Sequence, residues 1–351
     1  MIEADTVFMK RALDQARRGA GLVSPNPMVG ALLVKGGRVV GEGFHRYDLR
    51  KHGETYAIEM AGQEARGATL YCNLEPCCHH GRTPPCTDAL IEAGISRAVI
   101  ATKDPYAKVN GQGIDQLREA DIDVDVGLLE ERARILNESY FKFITTRKPF
   151  VHAIIEYPAV SAEPLLDWQP SKEFLDSASK YDAVMIGSRL ELNNVVVSHA
   201  LNRERHRPLV IAASNSDPWL LDALRKRVEG ELSVVPFETH PAAGAGSKVV
   251  RLESGRAYDV ARSQMEALLL MLTRMEVTSL LCLPGLLDSS DTANFDEFDK
   301  VTLAVPSNTY KQGFGSRWAL GDIEFDLEGV SIEPAGEFTE LTGYPTLQEV
   351  A

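Results

Sequence analysis

No run in this sequence approaches the roughly 18 apolar residues of a membrane-spanning helix, which argues for a soluble chain. Its start, Met1-Ile-Glu-Ala-Asp-Thr6, lacks the basic segment followed by an apolar one that marks an export signal, and a cytoplasmic location is expected. Cysteine is scarce and odd in number: five in 351 residues, four of them between Cys72 and Cys86. Such clustering without a secretory context favours metal binding over disulfides. Positive charge is short as well. Residues 1–147 carry 19 Lys and Arg against 20 Asp and Glu, which leaves 18 against 30 for residues 148–351. Neither half offers the clustered cations that grip a phosphate backbone, so nucleic acid is excluded as a partner. Internal repeats and low-complexity tracts are also missing; Ala242-Ala-Gly-Ala-Gly-Ser247 is only a short flexible loop.

What is present reads as two α/β domains, in keeping with about 100–200 residues per domain. Phe8, Met9, Ala12, Leu13 and Ala16 recur at helical spacing, so an amphipathic helix opens the fold and Ser24-Pro-Asn-Pro27 follows it. Val29 to Val34 and Val39 to Phe44, joined through Gly36-Gly37, read as a β-hairpin. Helices are expected at about 52–65, 84–93 and 114–119, strands at 69–74, 98–102 and 124–126, and one long helix from Leu129 to Ile144. A hairpin followed by alternating strands and helices implies a mixed sheet covered by helices. Residues 145–149 read as a hinge between a domain of 1–147 and one of 148–351. The second alternates again, with strands near 150–155, 183–187, 208–213, 278–283 and 301–305 and helices near 171–180 and 258–275.

The chemistry concentrates in the first domain. His52-Gly53-Glu54 places an imidazole at a helix start and a carboxylate two residues later; Cys77, in Glu75-Pro76-Cys77, and Cys86 follow. One His and two Cys supply three ligands, and a tetrahedral zinc with three protein ligands keeps its fourth position for water. His52, Cys77 and Cys86 are therefore the expected zinc ligands and Glu54 the catalytic acid/base. Cys78 competes with Cys77, although the Pro-Cys order favours Cys77. Cys72 and Cys282 lie in apolar strand patterns and read as core residues.

With Ser24-Pro-Asn-Pro-Met-Val-Gly30, His52-Gly-Glu54 and Leu74-Glu-Pro-Cys-Cys-His-His-Gly-Arg-Thr-Pro-Pro-Cys86 together, the chain resembles the bifunctional riboflavin-biosynthesis deaminase/reductases. The resemblance implies a cytidine-deaminase-like mixed sheet with helices on both faces, followed by a second α/β domain of the dihydrofolate-reductase-like fold. It implies Zn2+, a phosphorylated aminopyrimidine substrate and release of ammonia. By motif position it also implies substrate contacts at Asn26, His45, His79, Arg82 and Asp104, with the Arg82 guanidinium suited to the ribose phosphate. The chain departs from the family pattern at Gly53, usually Ala, at Tyr106, usually Asn, and at Cys78, usually Ser.

NADPH is the reductant that the resemblance implies for the second domain, and there the pattern breaks. The expected Lys-x-Ala-x-Ser-Leu-Asp-Gly reads Ile154-Ile-Glu-Tyr-Pro-Ala-Val-Ser161. The Thr and Asp of the substrate loop are missing after Gly187, and the Val-Glu-Gly-Gly strand end reads Cys282-Leu-Pro-Gly285. The expectation is a deaminase with a catalytically inactive reductase-shaped domain, a homo-oligomer served by a separate reductase. A full bifunctional enzyme and a non-catalytic zinc-binding module are the alternatives.

Overall fold

The computed structural model describes residues 2–49, 51–81, 84–156, 168–178, 180–185, 195–196, 209–213, 234–241, 248–251, 257–261, 264–283, 296–307, 317–320 and 323–347. The chain divides into two compact units, residues 1–147 and 148–351.

The first unit is built on a five-stranded sheet of β1 (Gly30–Lys35), β2 (Arg38–Phe44), β3 (Thr69–Cys72), β4 (Arg97–Ile100) and β5 (Asp123–Val126), in the order β2-β1-β3-β4-β5. The two β1 pairings, with β2 and β3, are antiparallel, whereas β3, β4 and β5 run parallel. The β1–β2 turn is the pair Gly36-Gly37, both at positive φ, as a two-residue hairpin requires. Side chains alternate across the sheet with period two. Ala31, Leu33, Leu70, Cys72, Ala98 and Ile100 point to one face, and Leu32, Val34, Tyr71 and Val99 to the other.

The first face is covered by α2 (Gly53–Ala61), α3 (Cys86–Ala93) and α4 (Gln112–Glu119), through Ala57, Leu90, Ile114 and Leu117. On the second lie α1 (Ile2–Arg17), through Met9, Ala12 and Leu13, and α5 (Glu130–Leu136), through Ala133. This is the expected mixed sheet with helices on both faces.

One expectation fails instructively. The long helix from Leu129 to Ile144 is two helices, α5 and α6 (Glu138–Thr146), broken at Asn137. Asn137 is buried; its amide oxygen accepts from the Met28 N–H at 2.8 Å and its amide nitrogen donates to the Met28 carbonyl at 2.9 Å. Asn73 donates to the same carbonyl at 3.0 Å and accepts from the Gly30 N–H at 2.7 Å. Apolar periodicity runs on through this position because the break serves a tertiary contact 109 residues away in sequence.

The second unit carries an 11-stranded sheet. Its central strands are parallel: β9 (Val234–Pro241), β8 (Leu209–Ala213), β7 (Ala183–Met185), β12 (Ser279–Cys282), β6 (Phe150–Glu156) and β13 (Lys300–Pro306), in that order. Antiparallel strands extend both edges: β10 (Lys248–Arg251) and β11 (Ala257–Ala261) beyond β9, and β16 (Phe338–Leu347), β15 (Ile323–Ala335) and β14 (Arg317–Leu320) beyond β13. Two helices are described, α7 (Lys172–Ala178) and α8 (Gln264–Arg274). The helix expected over 258–275 thus starts at Gln264, and residues 257–261 form a strand. The hairpin β15–β16 has no counterpart among the expected strands.

Close backbone approach positions α2 on the sheet. A Cβ on Gly41 would stand 2.0 Å from the Ala57 carbonyl oxygen, so no side chain fits between β2 and α2. Gly41→Ala is expected to cost about 1–3 kcal/mol of stability in chemical denaturation, the usual range for overpacking. An unchanged midpoint would show that the α2 contact yields without strain.

Candidate metal centre

His52 is the residue immediately before α2, in extended conformation, and Cys86 is the first residue of α3. Pro85 ahead of Cys86 has φ −58°, which suits its ring, and gives the chain an abrupt turn into α3. Cys77 lies on the segment after β3. It is fixed by α3: Thr87 N–H donates to the Cys77 carbonyl at 3.2 Å, and Cys86 N–H donates to the Cys77 sulfur at 3.4 Å.

These placements bring three ligand atoms together. His52 Nδ1 lies 3.1 Å from Cys86 Sγ and 3.6 Å from Cys77 Sγ, and all three atoms fall within 4.8 Å of one another. Zinc bonds of about 2.3 Å to sulfur and 2.0–2.1 Å to nitrogen separate tetrahedral N and S ligands by roughly 3.5 Å, so the spacing fits zinc. No other cluster of three or more His, Cys, Asp or Glu with ligand spacing occurs among the described residues. Cys78, the competing candidate, sits outside the cluster, its sulfur 3.5 Å from the Lys108 carbonyl oxygen.

The electrostatics suit a cation. The Cys77 thiol is pulled down to about 4, first by its hydrogen bond with Cys86, against burial, and then by His52. Cys86 is pushed well above the ordinary thiol value by the same bond and by burial. Burial opposes protonation of His52, but the Cys77 hydrogen bond and the charges of Glu54 and Cys77 outweigh it and raise the imidazole to about 8. The lowered Cys77 thiol favours the deprotonated sulfur that a metal ion takes, and protons on the other ligands leave on binding.

Glu54, on the first turn of α2, is buried, and burial raises its pKa. Its Oε2 has no hydrogen-bond partner among the described residues. The His45 ring stands edge-on to His52 with centroids 5.1 Å apart, and its Nε2 is likewise buried and unpartnered. Burial, then the His52 charge, lowers His45 to about 4, so it is neutral at neutral pH. Buried polar atoms without partners are uncommon and call for a ligand or water. Two of them beside a His-Cys-Cys cluster mark the place where a polar molecule fits.

Of the remaining expected residues, Asn26, His79 and Asp104 are described. Asn26 is exposed on the loop ahead of Met28. His79 packs edge-on against Tyr106, centroids 5.6 Å apart, so the residue standing in place of the family's Asn props the segment between the cysteines. Asp104 is buried and accepts from Tyr106 N–H at 2.8 Å and Tyr140 OH at 2.9 Å; burial raises it to about 6. Arg82 lies outside the described residues. Cys72 and Cys282 are buried in apolar clusters. Sequence reasoning missed Asn73, Asn137 and Tyr140, which hold the surrounding loops; a lone Asn or Tyr in a helical or strand pattern carries no signal of such a role.

Comparison with known proteins agrees with this geometry. Residues 2–102 match the cytidine and deoxycytidylate deaminase zinc-binding region. The chain is 51% identical over 149 residues to riboflavin biosynthesis protein RibD of Aquifex aeolicus, which is 42% of each chain. It is 40% identical over 220 residues to riboflavin biosynthesis protein PYRD, chloroplastic, of Arabidopsis thaliana, covering 60% of this chain and 51% of that one. The matched part therefore spans about half or less of these relatives' length. A Thermotoga maritima diaminohydroxyphosphoribosylaminopyrimidine deaminase/5-amino-6-(5-phosphoribosylamino)uracil reductase superposes with a TM-score of 0.73 at 27% identity, over 98% of this chain and 99% of that one. Acinetobacter baumannii RibD shares the fold at a TM-score of 0.70 and 22% identity. The chain is thus similar to the riboflavin-biosynthesis deaminase/reductases in sequence over its first unit and in fold over both. Among the described residues, no helix is long and apolar enough to cross a membrane.

Replacing Cys86 by Ser removes a soft ligand from the three. Elemental analysis of the purified Cys86→Ser chain is expected to show most of the zinc lost, and full occupancy would remove Cys86 from the ligand set.

Proposed function

We propose that the chain hydrolyses 2,5-diamino-6-ribosylamino-4(3H)-pyrimidinone 5′-phosphate to 5-amino-6-ribosylamino-2,4(1H,3H)-pyrimidinedione 5′-phosphate and ammonia, as a zinc-dependent deaminase. The observation that carries this reading is the His52, Cys77 and Cys86 cluster with the unpartnered Glu54 Oε2 beside it. Zinc held there supplies Lewis-acid activation of water at neutral pH.

The chain's own residues supply the proton traffic and the positioning. Glu54 takes one proton from the attacking water at Oε2 and gives it to the ring nitrogen, then takes the second from the hydroxyl now on the ring carbon and gives it to the amine, so that water's oxygen replaces the nitrogen and ammonia leaves. Burial makes its carboxylate a better base than a solvated glutamate, which this shuttle needs near neutral pH. Neutral His45 offers Nε2 as a hydrogen-bonding group to the ring. Asn26, His79 and Asp104 line the approach, and Arg82 takes the phosphate through charge-assisted hydrogen bonds.

The division of labour is a deaminase domain of residues 1–147 and a reductase-like domain of 148–351 that does not reduce. Where the reductase pattern has a lysine, Ile154 is 2% exposed; where it has a glutamate, Leu283 is 2% exposed. Both belong to one apolar cluster with Phe150, Trp168 and Phe174. Two charged positions have become core together, which removes two groups that could pair with NADPH or a phosphorylated sugar. Of the other altered positions, Val160-Ser161, residues 188–194 and Pro284 lie outside the described residues, and Val196 is buried in the same apolar cluster. The domain then serves as a scaffold for a cytoplasmic homo-oligomer, and a separate protein performs the reduction.

One assay tests both halves: purified chain with the phosphorylated diaminopyrimidinone, following ammonia and NADPH absorbance separately. Ammonia release is expected without NADPH oxidation, and Glu54→Gln should slow release by about 10²–10⁴-fold with zinc retained. Activity of Glu54→Gln within a few-fold of wild type would take Glu54 out of the mechanism; NADPH consumed on deaminated product restores the bifunctional reading.

Arg82→Ala is expected to impair turnover of the phosphorylated substrate far more than that of its dephosphorylated form. Equal losses on both would assign Arg82 to the shape of the loop.

A further inference from the structure

The mechanism above makes no use of Glu75, although this carboxylate is 3% exposed and lies two residues from a metal ligand. Among the described residues it pairs with no cation; four backbone N–H groups converge on it instead. Oε2 accepts from Asp104 at 3.1 Å and Gly111 at 2.9 Å, and Oε1 from Gly113 at 2.9 Å and Ile114 at 3.2 Å. Gly113 and Ile114 belong to the first turn of α4, whose N–H groups have no partner within the helix and whose dipole favours an anion. Asp104 and Gly111 lie on the loop that follows β4.

We propose that Glu75 is the positioning residue of the metal centre: by gathering the 104–114 segment around its carboxylate, it fixes where Cys77 presents its sulfur. The geometry links the two closely. Glu75 N–H donates to the Thr102 carbonyl at 3.0 Å, which ties the segment after β3 to the segment after β4. The next residue is Pro76, whose ring limits φ, so the direction set at Glu75 passes to Cys77 with little slack. The Pro76 carbonyl oxygen lies against Gly113, where an added Cβ would stand 2.2 Å away. Beyond Cys77 the chain is held by the two α3 N–H contacts already described. Cys77 is thus clamped from both sides, by α4 through Glu75 and by α3 through Cys86 and Thr87.

The chemistry of the group explains why a carboxylate stands here. Two oxygens with about four lone-pair sites match four donors, whereas a glutamine keeps one oxygen and turns an NH2 toward two N–H groups. Alanine leaves all four buried N–H groups without an acceptor. Both changes let the Cys77 segment drift relative to His52 and Cys86, and neither touches a ligand.

This inference rests on the zinc reading above, and the test separates the two. Full-length chain is loaded with zinc, and release to a colorimetric chelator is followed well below the melting temperature; in parallel, cobalt replaces zinc and the thiolate-to-cobalt charge-transfer band is recorded. Glu75→Ala and Glu75→Gln are expected to lose zinc about 10–100-fold more readily and to shift the cobalt band, the scale on which residues that orient ligands act. Should Glu75→Ala not accumulate as folded protein, Gly113→Ala keeps the carboxylate but pushes on Pro76 and on the Glu75 side chain, and is expected to act in the same direction. Leu13→Ala, on the buried face of α1, controls for lost stability: it is expected to lower the melting temperature and leave zinc release and the cobalt spectrum as in wild type. Glu75 and Gly113 variants within twofold of wild type, or Leu13→Ala releasing zinc as fast as they do, would overturn the positioning role. A wild-type chain that binds no zinc overturns the metal reading and this inference with it.

Discussion

Everything at this site depends on two helix N-termini meeting. His52 ends the approach to α2 and Cys86 begins α3, and their ligand atoms lie 3.1 Å apart although 34 residues separate them. A metal site of this kind tolerates little error, because ligand bonds vary by only about 0.2 Å. The sheet supplies the accuracy. Helices α2 and α3 pack on the same face, through Ala57 and Leu90 over Leu33, Leu70 and Ala98, so the distance between their first residues follows from the core beneath. The glycine at 41 seats α2 directly on β2, and Cys77 arrives from the end of β3, a strand next to the hairpin. Catalytic groups on element ends are held more rigidly than groups in mid-loop.

Much of this was legible in residue order alone. Gly36-Gly37 between two apolar runs gives the hairpin because few other pairs adopt two successive positive φ angles. Met9, Ala12, Leu13 and Ala16 give α1 because a helix repeats every 3.6 residues. His52, Glu54, Cys77 and Cys86 are legible because few residue types bind zinc and a shuttle needs a carboxylate beside it. The misses share a different cause. Asn137, Asn73 and Glu75 act on backbone atoms that belong to any residue type, so nothing in the partner's identity announces the contact. Periodicity runs smoothly across Asn137 even though the helix stops there. In the second unit the strand over 257–261 was absorbed into the helix that follows, since a short apolar run suits either state.

The first unit also shows how a buried polar network substitutes for rigid loops. Asn137 and Asn73 both bind the Met28 backbone, Tyr140 binds Asp104, and Glu75 binds the 104–114 segment. Each contact joins a loop near the centre to a helix or strand that the hydrophobic core already fixes. Buried networks of this sort are worth keeping only when their members are satisfied, and these are. Against that background the two exceptions, Glu54 Oε2 and His45 Nε2, stand out as places where satisfaction waits on a ligand.

The two units answer a common question differently. In the first, the His-Cys-Cys set and the glutamate of the family pattern persist, and the fold spends buried polar atoms to hold them. In the second, the lysine and glutamate of the pattern have given way to Ile154 and Leu283, which pack with Trp168 and Phe174. A lone charge in such a cluster would sit in a low-dielectric interior, which is strongly unfavourable, whereas apolar groups at both positions are often neutral or stabilising. Two apolar residues at these positions keep the sheet around them without a buried charge to satisfy. Burying two more aliphatic side chains adds to the core, roughly 1.5–3 kcal/mol for each fully buried one. Under the proposed reading, the residues at these two positions hold the fold together rather than serve a reaction.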